Sequence, residues 1–294
     1  MFKDELKEYV TAHPNLVSMK PAGDGIFVLK YKKRVFFDGL WNDYLEECRG
    51  TIVDADFNVV TRPFTKIYNY GVEAKAPKLS DDTIVTAYRK VNGFMVAVTW
   101  HNGDILVSTT GTTDSDYVKM ARELIDLKVY REVCKQNQGI TFMFECVHEL
   151  DPHIVPELPG MYLLGYRENT WDSISFPDPD VLDELADQFG VYRVKSTVLS
   201  IGTLLKAVKL VKHEGFVFYT ADGVSAKIKS PYYLVNKFVA RNPRTDKLLR
   251  KDIKQSLDEE YYPLIDKIQE NIVQYTEMDE QARLAWVRNF LEKS

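Results

Sequence analysis

Cysteine is scarce: Cys48, Cys134 and Cys146 are the only three in 294 residues, and they lie far apart. Such spacing forms neither a disulfide framework nor a metal-ligand cluster, and it suits a reducing compartment. None of the three sits in a context that would activate a thiolate nucleophile. No apolar run approaches the roughly 18 residues that span a bilayer, so no membrane partner is expected. The N-terminal MFKDELK is charged and lacks an apolar core, so no export signal is expected either. Internal repeats and low-complexity tracts are also missing. These absences exclude a disulfide-stapled secreted module, a membrane-spanning protein and a solenoid.

What remains is an ordinary globular composition, with 45% hydrophobic residues and enough chain for one or two domains. The net charge of −5 at first argues against a nucleic-acid partner. Its distribution argues the other way. Between Lys195 and Lys254 there are 13 Lys/Arg against 4 Asp/Glu, on a body that is otherwise acidic. A basic segment on an acidic body is what a phosphate-binding face requires.

The pattern of the chain is α+β. Residues 24–37 (DGIFVLKYKKRVFF) read as β, and 48–63 (CRGTIVDADFNVVTRP) as a hairpin. Three β runs between 83 and 111 are punctuated by Asn92-Gly93 and Asn102-Gly103, the strongest short hairpin signal. One helical stretch is expected over 116–137, then strands near 140–148 and 161–166. Helices over 178–189 and 200–211 and strands over 215–220 and 224–229 follow. From about residue 232 the pattern is helical, with an apolar stripe of Leu264, Ile265, Ile268 and Ile272, and a last helix carrying Leu284, Trp286, Phe290 and Leu291. The expected architecture is a mixed, largely antiparallel body over residues 1–240 and a helical C-terminal region over 241–294, divided near Asn242-Pro243.

Several residues carry chemistry if the fold gathers them. Lys90 opens the turn Lys90-Val91-Asn92-Gly93, and an amine can attack phosphorus if neighbouring cations lower its pKa. Gly93 permits close approach of backbone to a nucleotide. Glu145 ends the apolar strand FMFE, and Glu214 precedes the strand GFVFY. Lys227 and Lys229 share one face of AKIK by the period-two rule. Upstream lie Arg49-Gly50, which opens a strand, and Lys66 in PFTKIYN.

In this order and spacing the segments RGTIVD, KVNG, FMFE, EGFVFY and AKIK resemble the motifs of the covalent nucleotidyltransferases. The upstream Arg-Gly strand, the RPFTKIYNYG segment and MYLLGYREN resemble the bacteriophage RNA ligase 1 family in particular. The resemblance covers roughly residues 40–240 and implies a nucleotidyltransferase (adenylation) fold and an ATP-dependent RNA ligase. Lys90 would attack the α-phosphorus of ATP and carry AMP. The AMP would pass to an RNA 5′-phosphate, and an RNA 3′-hydroxyl would then displace it. Lys227 and Lys229 would depress the Lys90 pKa and steady the transferring phosphoryl group. Arg49 and Lys66 would hold the outer phosphates. Glu145 and Glu214 would bind ribose hydroxyls or the waters of magnesium, which prefers oxygen ligands. A cytoplasmic setting is expected, that of the host if a phage encodes the chain.

Three departures from the family pattern stand out. Asn92 replaces an acid common in relatives and keeps an oxygen acceptor without its charge. Arg89 stands where relatives often have an acid, which leaves the base contact open. The Thr109-Thr110-Gly111 stretch has no lysine where some relatives place a phosphate contact. Adenine stacking falls to Phe142, Phe144, Tyr166 or Val217, which the sequence does not separate. A DNA ligase or GTP-using capping enzyme would normally continue into an oligonucleotide-binding barrel. No row of short alternating strands follows Lys229. A binding module without chemistry would have no need of the full set of lysines and glutamates.

Overall fold

The computed structural model of the chain describes residues 2–173, 178–240, 248–250, 253–256 and 261–293. The boundary expected at Asn242-Pro243 lies outside them. After an N-terminal helix, α1 (Phe2–Ala12), come four antiparallel strands: β1 (Val17–Pro21), β2 (Ile26–Tyr31), β3 (Arg49–Asp54) and β4 (Val59–Thr61). Their core holds Leu6, Leu29, Val35, Leu45 and Val53.

Two five-stranded sheets build the rest of the body. One has the order β12-β6-β13-β14-β5, from β12 (Ser196–Ser200), β6 (Ile84–Arg89), β13 (Gly215–Thr220), β14 (Ser225–Lys229) and β5 (Tyr68–Asn69). The other has the order β11-β10-β9-β7-β8, from β11 (Tyr192–Arg193), β10 (Gly160–Glu168), β9 (Ile140–Val147), β7 (Phe94–His101) and β8 (Asp104–Thr109). Apart from the short β5 and β11, which pair in parallel, the ladders are antiparallel.

Side-chain alternation makes these sheets into layers. On β9, Phe142, Phe144 and Cys146 face a core shared with α4 (Asp116–Leu124), α5 (Leu127–Gln136) and α6 (Pro179–Phe189). In the other sheet Val85, Ala87, Phe218 and Ala226 pack on Ile201 and Leu204 of α7 (Ile201–Leu210). The opposite faces meet each other. Tyr88 and Tyr219 from one sheet pack with Val147 and Tyr162 from the other. The layers therefore run helices, sheet, cleft, sheet, helix.

Four expectations need correction. The β run expected over 24–37 ends at Tyr31. Two short helices, α2 (Lys33–Phe37) and α3 (Asp43–Glu47), follow and turn Val35 and Leu45 into the N-terminal core. The single helix expected over 116–137 is two, because Asp126 accepts from the N–H groups of Lys128 and Val129 and starts α5 afresh. The sequence reading missed α1, β1, β11 and β12. The two Asn-Gly pairs also differ. Asn102-Gly103 is a true hairpin turn, with φ of 50° and 83° and the pair His101–Asp104 closing it. Asn92-Gly93 is not: β6 and β7 lie in different sheets, and the chain crosses between them there.

The C-terminal helices are α8 (Pro231–Ala240), α9 (Tyr262–Glu270), α10 (Ile272–Glu277) and α11 (Glu280–Lys293). Val235 and Val239 of α8 share one core with Leu264, Ile265, Ile268, Tyr275 and Val287. Tyr275 Oη donates to the Val239 carbonyl at 3.1 Å. Arg288 donates from Nη2 to the His153 carbonyl at 2.9 Å, tying this bundle to the loop after β9. No helix among the described residues is long and apolar enough to cross a membrane.

Candidate active site

The cleft between the two five-stranded sheets has a volume of about 350 Å³, within the range of small-ligand sites. It draws Arg49, Lys90, Glu145, Glu214, Lys227 and Lys229 to one place from segments 180 residues apart in sequence. Alternation explains the selection. On β14, Ala226 and Ile228 pack toward α7, so Lys227 and Lys229 point into the cleft. Glu145 faces it from β9, and Val217 and Tyr219 face it from β13.

Lys90 sits where the chain leaves one sheet for the other. Its N–H still donates to the Gly215 carbonyl at 2.8 Å, extending the β6–β13 ladder by one residue. Its Nζ lies 2.9 Å from Glu214 Oε2 and 3.8 Å from Glu145 Oε1. Glu214 Oε1 takes Lys229 Nζ at 3.2 Å, and the Gly93 N–H donates to Glu145 Oε1 at 3.0 Å.

This arrangement corrects the expected electrostatics. Burial pulls the Lys90 pKa down, but the Glu145 and Glu214 carboxylates outweigh it and hold the amine above its usual range. The ammonium is therefore the resting form. Burial pushes the Glu145 carboxyl up. Glu214 ends below its usual range, because Lys90 and Lys229 overcome its burial. Neighbouring cations do depress Lys227. Burial first, then Arg49, Lys66, Lys90 and Lys229, bring it down to about 7. No carboxylate pairs with Lys227 among the described residues.

Arg49 lines the same cleft, and burial lowers its pKa. Its Nη1 reaches the Thr65 carbonyl only at 3.5 Å, and its buried Nε has no hydrogen-bond partner. Lys66 does not line the cleft. Its Nζ is held by Glu73 Oε1 at 2.5 Å and lies 4.4 Å from the Tyr68 ring and 4.9 Å from that of Trp41. Asn92 is buried behind the wall. A Cβ on Gly93 would lie 2.3 Å from the Cys146 carbonyl oxygen and 3.1 Å from Glu145 Cγ. The glycine is required so that the crossover can press on β9. The expected close approach to a nucleotide is not what fills that space.

Three of the four stacking candidates fall away. Phe142 and Phe144 lie in the core under the helices, and Tyr166 packs against that core; only Val217 lines the cleft. The alternation that aims Glu145 inward aims Phe142 and Phe144 outward. The lining aromatic residues are Phe64, Tyr88 and Tyr219. Tyr88 and Tyr219 carry a sequence signal, since each lies two residues along a strand from a cleft residue, Lys90 and Val217. Arg89 also reaches the lining and pairs with Glu157 at 2.8 Å. The thiols of Cys48, Cys134 and Cys146 are buried and pushed up to about 12 by that burial, which leaves no thiolate at neutral pH.

A sequence model described as RNA ligase matches residues 47–233. The chain is similar in structure to an archaeal ATP-dependent RNA ligase in its first form, at 18% identity and TM-score 0.55, over 96% of this chain and 75% of that one. The second form of an archaeal ATP-dependent RNA ligase gives 19% identity and TM-score 0.54, over 97% and 75%. A putative ATP-dependent DNA ligase from Aquifex aeolicus gives 14% identity and TM-score 0.52, over 97% and 76%. At these identities the likeness is one of fold. No curated protein matches the sequence.

Proposed function

This chain belongs to the RNA ligase family, and we propose that it joins RNA ends through an ATP-dependent, lysyl-AMP route with Lys90 as the nucleophile. The observation that carries the reading is the position of Lys90 Nζ. It lies in a cleft of nucleotide size, 2.9 and 3.8 Å from two carboxylates, and the same cleft is lined by Arg49 and Lys227, which have no carboxylate partner among the described residues.

The uncompensated cations, Arg49 and Lys227, receive the phosphates of ATP. A bound phosphate supplies the negative charge that the protein withholds from them, and it favours the protonated form of Lys227. Lys90 must lose its proton before it attacks, and the acceptors within reach are Glu214 and Glu145. Its lone pair then forms the bond to the α-phosphorus, and the bond to the bridging oxygen breaks. Pyrophosphate leaves with that electron pair, steadied by the same cations. In the second step the AMP passes to an RNA 5′-phosphate, freeing Lys90. In the third an RNA 3′-hydroxyl displaces AMP.

The donor set fits magnesium. Two buried carboxylates converge on one cationic atom, and such an ion is held by one or two carboxylates, with water and phosphate completing its shell. When bound there by Glu145 and Glu214, it would supply positive charge against the α-phosphate and relieve the carboxylates' hold on the Lys90 proton. The basic segment from Lys195 to Lys254 favours RNA through its phosphates, so binding should weaken steeply with salt.

The test is incubation with α-labelled ATP and magnesium, denaturation and detection of label on the protein. Wild type should label and Lys90→Ala should not. Lys90→Ala should still seal an RNA whose 5′ end already carries AMP. Wild type without label, once freed of any prebound AMP, sinks the reading. Loss of sealing in Lys90→Ala would show that Lys90 has a role after the first step.

A further inference from the structure

The mouth of the cleft beside Thr110 is built by strands of two different sheets. Gly50 makes this possible. Its φ is +103°, and a Cβ there would lie 2.8 Å from Thr110 Cα and 3.0 Å from the Thr109 carbonyl oxygen. Without that side chain, β3 presses directly on the end of β8. Arg49 comes to the mouth from β3, and so does its ladder partner on β2, Lys30, at an irregularity between Leu29 and Lys30. Lys30 Nζ donates to Thr110 Oγ1 at 3.0 Å and lies 5.1 Å from the Tyr31 ring. Thr110 and Arg49 both line the cleft.

Two cations opposite each other on neighbouring strands repel, and partial burial strengthens the repulsion. Neither Lys30 nor Arg49 has an ion-pair partner among the described residues, and neither does Lys227. Burial, then Arg49, then Lys20, bring the Lys30 amine down to about 8. Arg49 thus stands opposite Lys30 across the β2–β3 ladder and also acts on the Lys227 amine of β14. An ammonium offers three donors, and only one of those on Lys30 is used by Thr110.

We propose that Lys30 is a third phosphate ligand of the cleft, holding the two terminal phosphates of the triphosphate, and then pyrophosphate, together with Arg49 and Lys227. This rests on the ligase reading and extends it to a residue outside the matched stretch 47–233. Lys30 forms and breaks no covalent bond. It donates hydrogen bonds to the leaving group as the Lys90–phosphorus bond forms and the bridging oxygen takes the electron pair. AMP lacks the terminal phosphates, so Lys30 discriminates triphosphate and pyrophosphate from AMP.

The experiment compares wild type, Lys30→Met and Lys30→Arg, freed of bound AMP. Each is titrated calorimetrically with inorganic pyrophosphate and, separately, with AMP. Each is also assayed for labelling by ATP and for sealing of pre-adenylated RNA. Lys30→Met should weaken pyrophosphate about tenfold and raise the KM for ATP in labelling by a similar factor. AMP affinity and sealing of pre-adenylated RNA should not move, and Lys30→Arg should recover most of the loss. Equal pyrophosphate affinity in wild type and Lys30→Met overturns the proposal. So does a parallel fall in pyrophosphate affinity, AMP affinity and sealing, which would mean that Lys30 only holds the cleft in shape. Wild type that fails to bind pyrophosphate also overturns it. Wild type that binds pyrophosphate in this way but takes no label from ATP leaves the anion site standing and removes the ligase reading.

Discussion

The two ends of the cleft handle charge in opposite ways. At one end Lys90 and Lys229 are matched by Glu145 and Glu214, so the buried charges sit in a closed network. At the other, Arg49 and Lys227 have no ion-pair partner among the described residues, and Arg49 stands opposite Lys30 across the β2–β3 ladder. The first end is satisfied without ligand. In the proposed reaction the phosphates of ATP complete the second. In the proposed reaction the difference means that the nucleophile is stored in its inactive, protonated form while the cations meant for phosphate are left without partners. Substrate binding thus has somewhere to deliver its charge before chemistry begins.

Stability measurements should break this comparison if it is wrong. The largest expected effect is at the matched end. Lys90→Ala removes one partner of a buried pair and strands Glu145, and it should cost on the order of 3 kcal/mol in denaturant unfolding. An unchanged midpoint would mean that the carboxylates do not depend on Lys90. Next is Gly93→Ala. Its methyl would collide with the Cys146 carbonyl, so a loss of roughly 2 kcal/mol is expected, together with loss of labelling as Glu145 is displaced.

The unmatched end should respond with the opposite sign. Lys227→Met removes a buried charge that lacks a partner, and it should stabilise the ligand-free protein by roughly 1 kcal/mol while abolishing labelling. The gain also depends on pH. Lys227 titrates near 7 when folded and at its usual, higher value when unfolded. Below pH 7 it is charged in both states and its cost is full. As pH rises above 7 the unfolded state binds more protons than the folded one, so that cost fades. The stabilisation by Lys227→Met should therefore shrink between pH 7 and 10, and one that grew instead would reverse the assignment. The smallest effect is calorimetric. Pyrophosphate binding at pH 8 should take up a fraction of a proton, because the anion raises the pKa of Lys227 and Lys30. Binding heats that do not depend on the buffer would contradict this.

Much of the site was legible because strands obey a simple period. Lys227 and Lys229 had to share a face, and Glu145 had to lie opposite Phe144. The same rule shows why Phe142 and Phe144 fail as stacking residues. The two Asn-Gly pairs mark where local signals stop. Both read as hairpins, and only Asn102-Gly103 is one. At Asn92-Gly93 the strand partners of β6 come from residues more than 100 positions away, and these long-range ladders override the local turn preference. The absence of a lysine near Thr110 in sequence was equally misleading, since Lys30 arrives there from another sheet.

By itself the sequence determined the strand and helix periods, the mixed α+β class and the identity of most of the charged residues in the cleft. Those follow from short-range alternation and from motif order. Only the tertiary structure decided which lysine is protonated at rest, which aromatic residues line the cleft, and that Lys30 stands opposite Arg49 and against Thr110. Each of those depends on electrostatic and packing neighbours brought together across different sheets, and a charge responds to distance in space, whatever the separation along the chain.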